Sequence, residues 1–220
     1  SADALTSGAC NIAIGKNALG AATSACGSIA IGENALAGAL ACTGGGVAEF
    51  NIGIGANAGD ALTGGYHNIA MGCNTLTNAT HIGNSVAIGR AVMNGITTGT
   101  AHHNIAIGNS TMVGSSSTTG QDNIALGRAT MDALTSGACN IAMGLDALGA
   151  ATDNCDNIAI GQSALAASVN DGDCNIAIGK SAMGSGDVSG MDNIGIGRLT
   201  LNTLTSGNCN IAIGLIAGGS

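Results

Sequence analysis

Asn123-Ile-Ala-Leu-Gly127, Asn140-Ile-Ala-Met-Gly144 and Asn157-Ile-Ala-Ile-Gly161 are three successive copies of one five-residue motif, each 17 residues after the last. The motif begins at Asn11, Ser28, Asn51, Asn68, Ser85, Asn104, Asn123, Asn140, Asn157, Asn175, Asn193 and Asn210, twelve copies at spacings of 17 to 23 residues. A short period sustained along a whole chain is the signature of a solenoid, in which each unit buries its apolar face only against its neighbours. No linker interrupts the repeat, so residues 1–220 read as a single repeat domain. The motif occupies positions 1 to 5 of each coil, and position 0 is the residue before it.

Position 2 is Ile in eleven copies and Val86 in the other, and position 4 is Ile, Met or Leu throughout. Alternation at period two with β-branched residues predicts a short strand, with positions 2 and 4 turned toward a core. Position 5 is glycine in every copy: Gly15, Gly32, Gly55, Gly72, Gly89, Gly108, Gly127, Gly144, Gly161, Gly179, Gly197 and Gly214. Such a column marks a turn that needs positive φ or close backbone approach. Position 1, Asn or Ser, suits a stacked polar ladder bonding its own turn and the next coil. Position 9 is Leu or Met except at Gly59 and Gly218, and predicts a second, shorter inward strand. A polar stretch such as Leu134-Thr-Ser-Gly-Ala-Cys139 then closes the coil. The expected fold is all-β: a parallel β-solenoid, or β-roll, of about twelve coils of 17–19 residues. Stacked at about 4.8 Å per coil, it would form a rod roughly 55–60 Å long. Two helices do not fit in so short a unit.

Position 3 is Ala13, Ala30, Ala70, Ala87, Ala106, Ala125, Ala142, Ala159, Ala177 and Ala212, with Gly53 and Gly195. If positions 2 and 4 face inward, these small residues form a flat outer surface suited to lateral packing against another chain. The alternative is a coil so narrow that both sides of the strand are internal. All five basic residues, Lys16, Arg90, Arg128, Lys180 and Arg198, occupy position 6 together with Glu33, and Asp122, Asp156 and Asp192 occupy position 0. Charge is thus confined to the turn edges, either as a solvated rim or as ion pairs between chains.

Composition narrows the classes further. The chain has 38 Gly, no Pro, no Trp, one Phe and one Tyr, with 45% hydrophobic and 8% charged residues. That is too apolar for disorder and lacks the proline and the period of collagen. No apolar run is long enough for a transmembrane helix. The net charge of −8 offers nucleic acid no basic patch and would repel an anionic membrane surface, and with every apolar run interrupted no membrane insertion is expected. The chain begins at Ser1 without a visible signal peptide and reads as either a processed chain or a piece excised from a longer one. Eight cysteines fit either an oxidising, extracellular setting or a set of buried thiols. Adjacent coils place equivalent Cα atoms within disulfide reach, so Cys10–Cys26 and Cys139–Cys155 are the expected pairs. No CxxC pair points to zinc.

Several residues outside these columns give weaker signals. His67, His81, His102 and His103 fall on closing turns, where a His102–His103 metal pair competes with a plain exposed loop. Asn170-Asp-Gly-Asp173 is a fragment of a calcium loop without its remaining ligands. Phe50 and Tyr66 occupy near-equivalent places, so they either stack or mark a ligand patch. Asn78-Ala-Thr80 and Asn109-Ser-Thr111 are glycosylation sequons, meaningful only in a eukaryotic secretory pathway. No nucleophile–base constellation appears, and no cofactor is expected, so an enzyme is not. Pectin-lyase-type solenoids use longer coils and charged clefts.

The tract from Asn140 to Thr152 resembles the repeats of phage and phage-like tail fibres and of related trimeric fibre proteins. Ser28-Ile-Ala-Ile-Gly32 and Ser85-Val-Ala-Ile-Gly89 are similar to the YadA-like head repeats of trimeric autotransporter adhesins. The resemblance spans the whole chain and implies a parallel β-roll, often trimeric, on an extracellular or virion-associated fibre. A coiled-coil stalk, membrane anchor and C-terminal chaperone domain of those families are not seen. Ser1–Cys10 matches the closing half of a repeat and Asn210–Ser220 an opening half, so head-to-tail completion of a coil between subunits is expected, with a seam at Leu5, Cys10, Cys209, Leu215 and Ile216. The expected function is a structural fibre subunit assembling with itself, head-to-tail or as a trimer, whose surface could bind a receptor or glycan. The alternative is an ice-binding solenoid, suggested by a partial position-8 array of Thr75, Thr111, Thr130 and Thr200.

Overall fold

The computed structural model describes residues 1–41, 48–97, 101–114, 118–169 and 172–218. Its strands are β1 (Ile12–Ile14), β2 (Ile29–Ile31), β3 (Ile52–Ile54), β4 (Ile69–Met71), β5 (Val86–Arg90), β6 (Ile105–Asn109), β7 (Ile124–Leu126), β8 (Ile141–Met143), β9 (Ile158–Ile160), β10 (Ile176–Ile178), β11 (Ile194–Ile196) and β12 (Ile211–Ile213). They form one twelve-stranded sheet in sequence order, and every neighbouring pair is parallel, as between Ile105 and Ile124 in β6 and β7. The chain is a β-solenoid, as the repeat predicts, with about eleven turns between the first strand and the last. The 23-residue step from Ser28 to Asn51 leaves the register intact, with Ile29 opposite Ile52, so the extra residues are accommodated outside the strand.

The sheet faces the opposite way from the expectation. The position-3 residues Ala30, Ala70, Ala87, Ala106, Ala125, Ala142, Ala159 and Ala177 are buried, and Ala13 and Ala212, on the first and last coils, pack against the same core. The alanines are therefore the inner face, not a lateral interface. The Ile, Val, Leu and Met residues of positions 2 and 4 are half-buried or exposed along the whole stack. Nor are both sides of the strand internal.

The cause is space. Position 3 looks across the coil at the position-9 side chain of the coil before it. A Cβ added at Gly53 would lie 2.7 Å from Leu36 Cγ, and one at Gly195 would lie 3.0 Å from Met183 Cε. With leucine or methionine filling the interior from the far wall, the sheet can contribute no more than a methyl group. Position 9 is buried as expected, but in a turn rather than a strand. Leu36, Leu76, Met93 and Leu148 have φ of 48°, 50°, 51° and 49°, and Leu36 N–H donates to the Ala58 carbonyl of the next coil at 2.9 Å. The left-handed residues of position 7 donate the other way, as Asn57 does to Glu33 O. The turn wall is thereby hydrogen-bonded to coils on both sides without being a strand.

The position-5 glycines have φ between 123° and 149°. A side chain on any of them but Gly214 would collide with the turn glycine carbonyl of the next coil. The asparagine ladder forms as expected. Asn140 Oδ1 accepts from the backbone N–H of Asn157 at 3.0 Å, and Asn140 Nδ2 donates to Asn123 Oδ1 at 3.0 Å and to Asn154 O at 2.7 Å. Each buried amide thus joins two coils and closes its own, which satisfies groups that would be costly to leave unpaired.

Candidate interaction surface

Because the alanines face in, the outer face of the sheet is a double column of large aliphatic side chains. Ile107 is 39% exposed and Met143 39% in the middle of the stack, and Ile211 is 71% exposed on the last coil. The face spans twelve strands, about 50 Å at the usual strand spacing, with no charge inside it. It is flanked by two exposed columns. Position 0 lies on one side, in left-handed conformation: Asp122, Asp156 and Asp192 have φ of 58°, 58° and 60°. Position 6 lies on the other. In β5 and β6 the strand runs straight through to this position, with Arg90 opposite Asn109.

Ion pairing along these edges is sparse. Lys16 Nζ meets Glu33 Oε1 at 3.1 Å in the first two coils, and His103 Nδ1 lies 3.6 Å from Asp122 Oδ1. Among the described residues Arg90, Arg128, Lys180 and Arg198 have no carboxylate within ion-pair distance.

The expected disulfides are not present. Cys10, Cys26, Cys139 and Cys155 are free thiols, as are Cys73, Cys174 and Cys209, while Cys42 lies outside the described residues. The reason is positional. Cys10 and Cys139 occupy position 0, whereas Cys26 and Cys155 precede Gly27 and Asp156 and so belong to a different column. Within position 0, Cys139, Cys174 and Cys209 alternate with Asp122, Asp156 and Asp192, so like thiols stand two coils, about 9.6 Å, apart, beyond the roughly 7 Å limit for bridging. Loss of hydration and the carboxylates of Asp156 and Asp122 raise the Cys139 pKa. Loss of hydration and Asp192 do the same first for Cys174.

The aromatic and histidine residues form a ladder on the middle coils. Phe50 stacks on His67 at 5.4 Å with planes 13° apart, and Tyr66 meets His67 edge-on at 5.7 Å. The other face of Phe50 lies over Gly27, where an added Cβ would sit 2.6 Å from the ring. Tyr66 covers Gly83 in the same manner. Phe50 therefore pairs with His67 rather than with Tyr66, and its flat faces are spent inside the ladder. His102 Nδ1 accepts the Gly83 N–H at 2.8 Å, which requires the neutral ring with its proton on Nε2. Burial first, then the neighbouring His103, holds the His102 pKa below its ordinary 6.5.

No group of three or more His, Cys, Asp or Glu among the described residues is placed to hold a metal ion. The described surface has no pocket. Asn170 and Asp171 of the calcium-loop fragment lie outside the described residues, and Asp173 Oδ1 accepts the Cys155 N–H at 2.7 Å. Thr75, Thr111, Thr130 and Thr200 are buried. Thr75 and Thr200 bond back to Gly72 and Gly197 of their own turns, and Thr130 to Gly144 of the next coil, so this array is not a surface. Of the seam residues, Leu5 packs against the core of the first coil. Cys10 and Cys209 are exposed, and Leu215 and Ile216 are exposed on the last. Among the described residues no helix is long and apolar enough to cross a membrane. No protein-family model, no curated protein and no solved structure matches the chain.

The outward isoleucine face is the feature that the sequence pattern does not reveal. Alternation shows that two faces differ, but not which is inside. The signal that could have found it is volume: an Ala or Gly column opposite a Leu or Met column leaves no room for isoleucine between them.

Proposed function

We propose that this chain is a structural subunit of a fibre, joined side by side to copies of itself through the outer isoleucine face. The observation that carries this reading is the face itself. An uncharged aliphatic stripe about 50 Å long and 10 Å wide is near the upper limit of what a soluble monomer leaves exposed, and stripes of that kind mark association sites. The repeat supplies length and stiffness, because every coil is hydrogen-bonded to both neighbours. The role is structural rather than catalytic. The extracellular or virion-associated setting, and an adhesive or receptor-binding role for the finished fibre, come from the resemblance of the repeats to fibre and adhesin heads.

Sedimentation velocity and electron microscopy test the reading. The wild type is expected to sediment as a defined oligomer well above 20.9 kDa. An Ile107→Asp/Leu126→Asp variant is expected to keep its β circular dichroism and sediment as a monomer. A wild type that stays monomeric at high concentration, with single thin rods in micrographs, overturns the proposal.

A further inference from the structure

The seven methionines divide by environment. Met93, Met112, Met131 and Met183 hold position 9, inside the coil, at no more than 1% exposure. Met71 and Met143 hold position 4 on the outer face, 38% and 39% exposed. Met191 is 46% exposed one residue before position 0, off the face. Strand β4 sets Met71 between Ile54 and Ile88, and β8 sets Met143 between Leu126 and Ile160. Each thioether thus stands inside the aliphatic column, four coils or about 19 Å from the other. Isoleucine fills the same position in nine of the twelve coils, so the fold does not require methionine there. The outer face also lacks hydrogen-bond donors. Its side chains are aliphatic, and the strand N–H groups run along the stack to the adjoining coil, as Ile105 N–H does to Asn123 O at 2.8 Å. A polar atom created on this face has nothing to accept from once water is excluded.

We propose that Met71 and Met143 are oxidation sites that control self-association: a peroxide converts each thioether to a sulfoxide, and the face then no longer closes against a neighbour. This rests on the lateral association proposed above and adds a chemical control to it. The step consumes one hydrogen peroxide per methionine and yields one sulfoxide and one water. A sulfur lone pair attacks one peroxide oxygen, an S–O bond forms and the O–O bond breaks. The sulfur is oxidised by two electrons, and the second oxygen leaves as water with both peroxide protons. The product replaces a flexible apolar side chain by a polar, chiral one. In the free subunit, water hydrates the new oxygen. In the closed face it becomes a buried acceptor without a donor, the costly case for a polar group. The four position-9 methionines are shielded by the coil, so the fold survives treatment that alters the face. Association shields Met71 and Met143 in turn, so the control acts on free subunits before assembly.

The test treats dilute, monomeric protein with hydrogen peroxide and then with dithiothreitol, which restores sulfenic acids and disulfides on the exposed thiols but leaves sulfoxides. Peptide mass spectrometry is expected to find sulfoxide at Met71, Met143 and Met191 and none at the position-9 residues. Sedimentation velocity is expected to show self-association weakened at least about ten-fold, with circular dichroism unchanged. Met71→Ile/Met143→Ile keeps every thiol and Met191, and is expected to associate as well after the treatment as before it. In the assembled protein, Met191 is expected to oxidise well ahead of Met71 and Met143. A wild type that associates equally before and after oxidation overturns the control while leaving lateral association standing. So does a double variant that weakens as much as the wild type, or a monomer in which Met71 and Met143 resist oxidation. Equal oxidation of all three in the assembled protein places the contact elsewhere and overturns both readings. An untreated wild type that stays monomeric at high concentration overturns the association, and the control falls with it.

Discussion

On the inner side of the sheet, alanine and glycine meet leucine and methionine from the turn wall; on the outer side, pairs of isoleucine meet solvent. The two sides are set one residue apart on the same three-residue strand. In most half-buried strands the larger apolar residues mark the core and the smaller ones are tolerated outside. Here the order is inverted because the coil is thin. The interior is already filled by the position-9 side chain and, in several coils, by a second large one such as Leu40, Ile96 or Leu134, and the sheet closes over them with a methyl group. The isoleucines suit a second interior that the single chain does not contain. Residue size therefore reports the room on each side of a strand, and hydrophobicity by itself does not say which side is inside.

The largest expected effect follows from exchanging sizes across one strand. Ala125→Leu pushes three carbons into a filled interior and should destabilise the chain by about 1–3 kcal/mol or more. Leu126→Ala, on the outer face, should cost the isolated chain less than about 1 kcal/mol, since a half-exposed side chain loses little burial. Chemical denaturation of both variants under monomeric conditions measures the difference; equal losses would break the contrast between faces. Next is the polar seam beside the inner face. Asn140→Ala removes the acceptor for the Asn157 N–H and the donor to Asn154 O, and should cost about 1–3 kcal/mol. Hydrogen exchange should show the loss concentrated in the two neighbouring coils, and unchanged protection there would show that the ladder is dispensable.

The smallest effect concerns the outer corner, where His102 is held neutral. Its folded pKa is depressed, so on acidification the unfolded chain takes up the proton before the folded one does. The stability it contributes is full above the ordinary value of 6.5 and falls as pH drops through it toward the lower folded value. The melting temperature should therefore decline between about pH 7.5 and 5, and His102→Asn should decline less. Asp60 and Asp132, raised chiefly by burial, act in the opposite direction, gaining stability as pH falls toward their own range. The difference between wild type and variant isolates the histidine. A steeper slope in the variant would show that His102 is not the responsible group.

Much of the fold is legible in the chain because a repeat compares itself with itself. The glycine column, the asparagine ladder and the strand at each motif are local or nearest-neighbour features, and twelve copies make each one plain. Gly127 has to be glycine for reasons present in its own turn and the coil beside it. The second apolar column is internal, as its pattern predicts, but its backbone is not the strand expected. Left-handed φ at Leu148 or Met131 is a conformation those residues rarely adopt, and no side-chain pattern announces it. The expected cysteine pairs fail on a smaller point: a one-residue offset between Cys10 and Cys26 separates them into different columns.

By itself the sequence determined the period, the strand at each motif, the turn glycines and the polar ladder. These follow from backbone sterics and hydrogen bonding over one coil and its neighbours. The tertiary structure decided which face of the sheet is the core, because that depends on the distance across the coil and on the volume already occupied by position 9. Period-two alternation is symmetric between the two faces of a strand. The wall on the other side breaks the symmetry, and with it the candidate interaction surface moves from the alanines to the isoleucines.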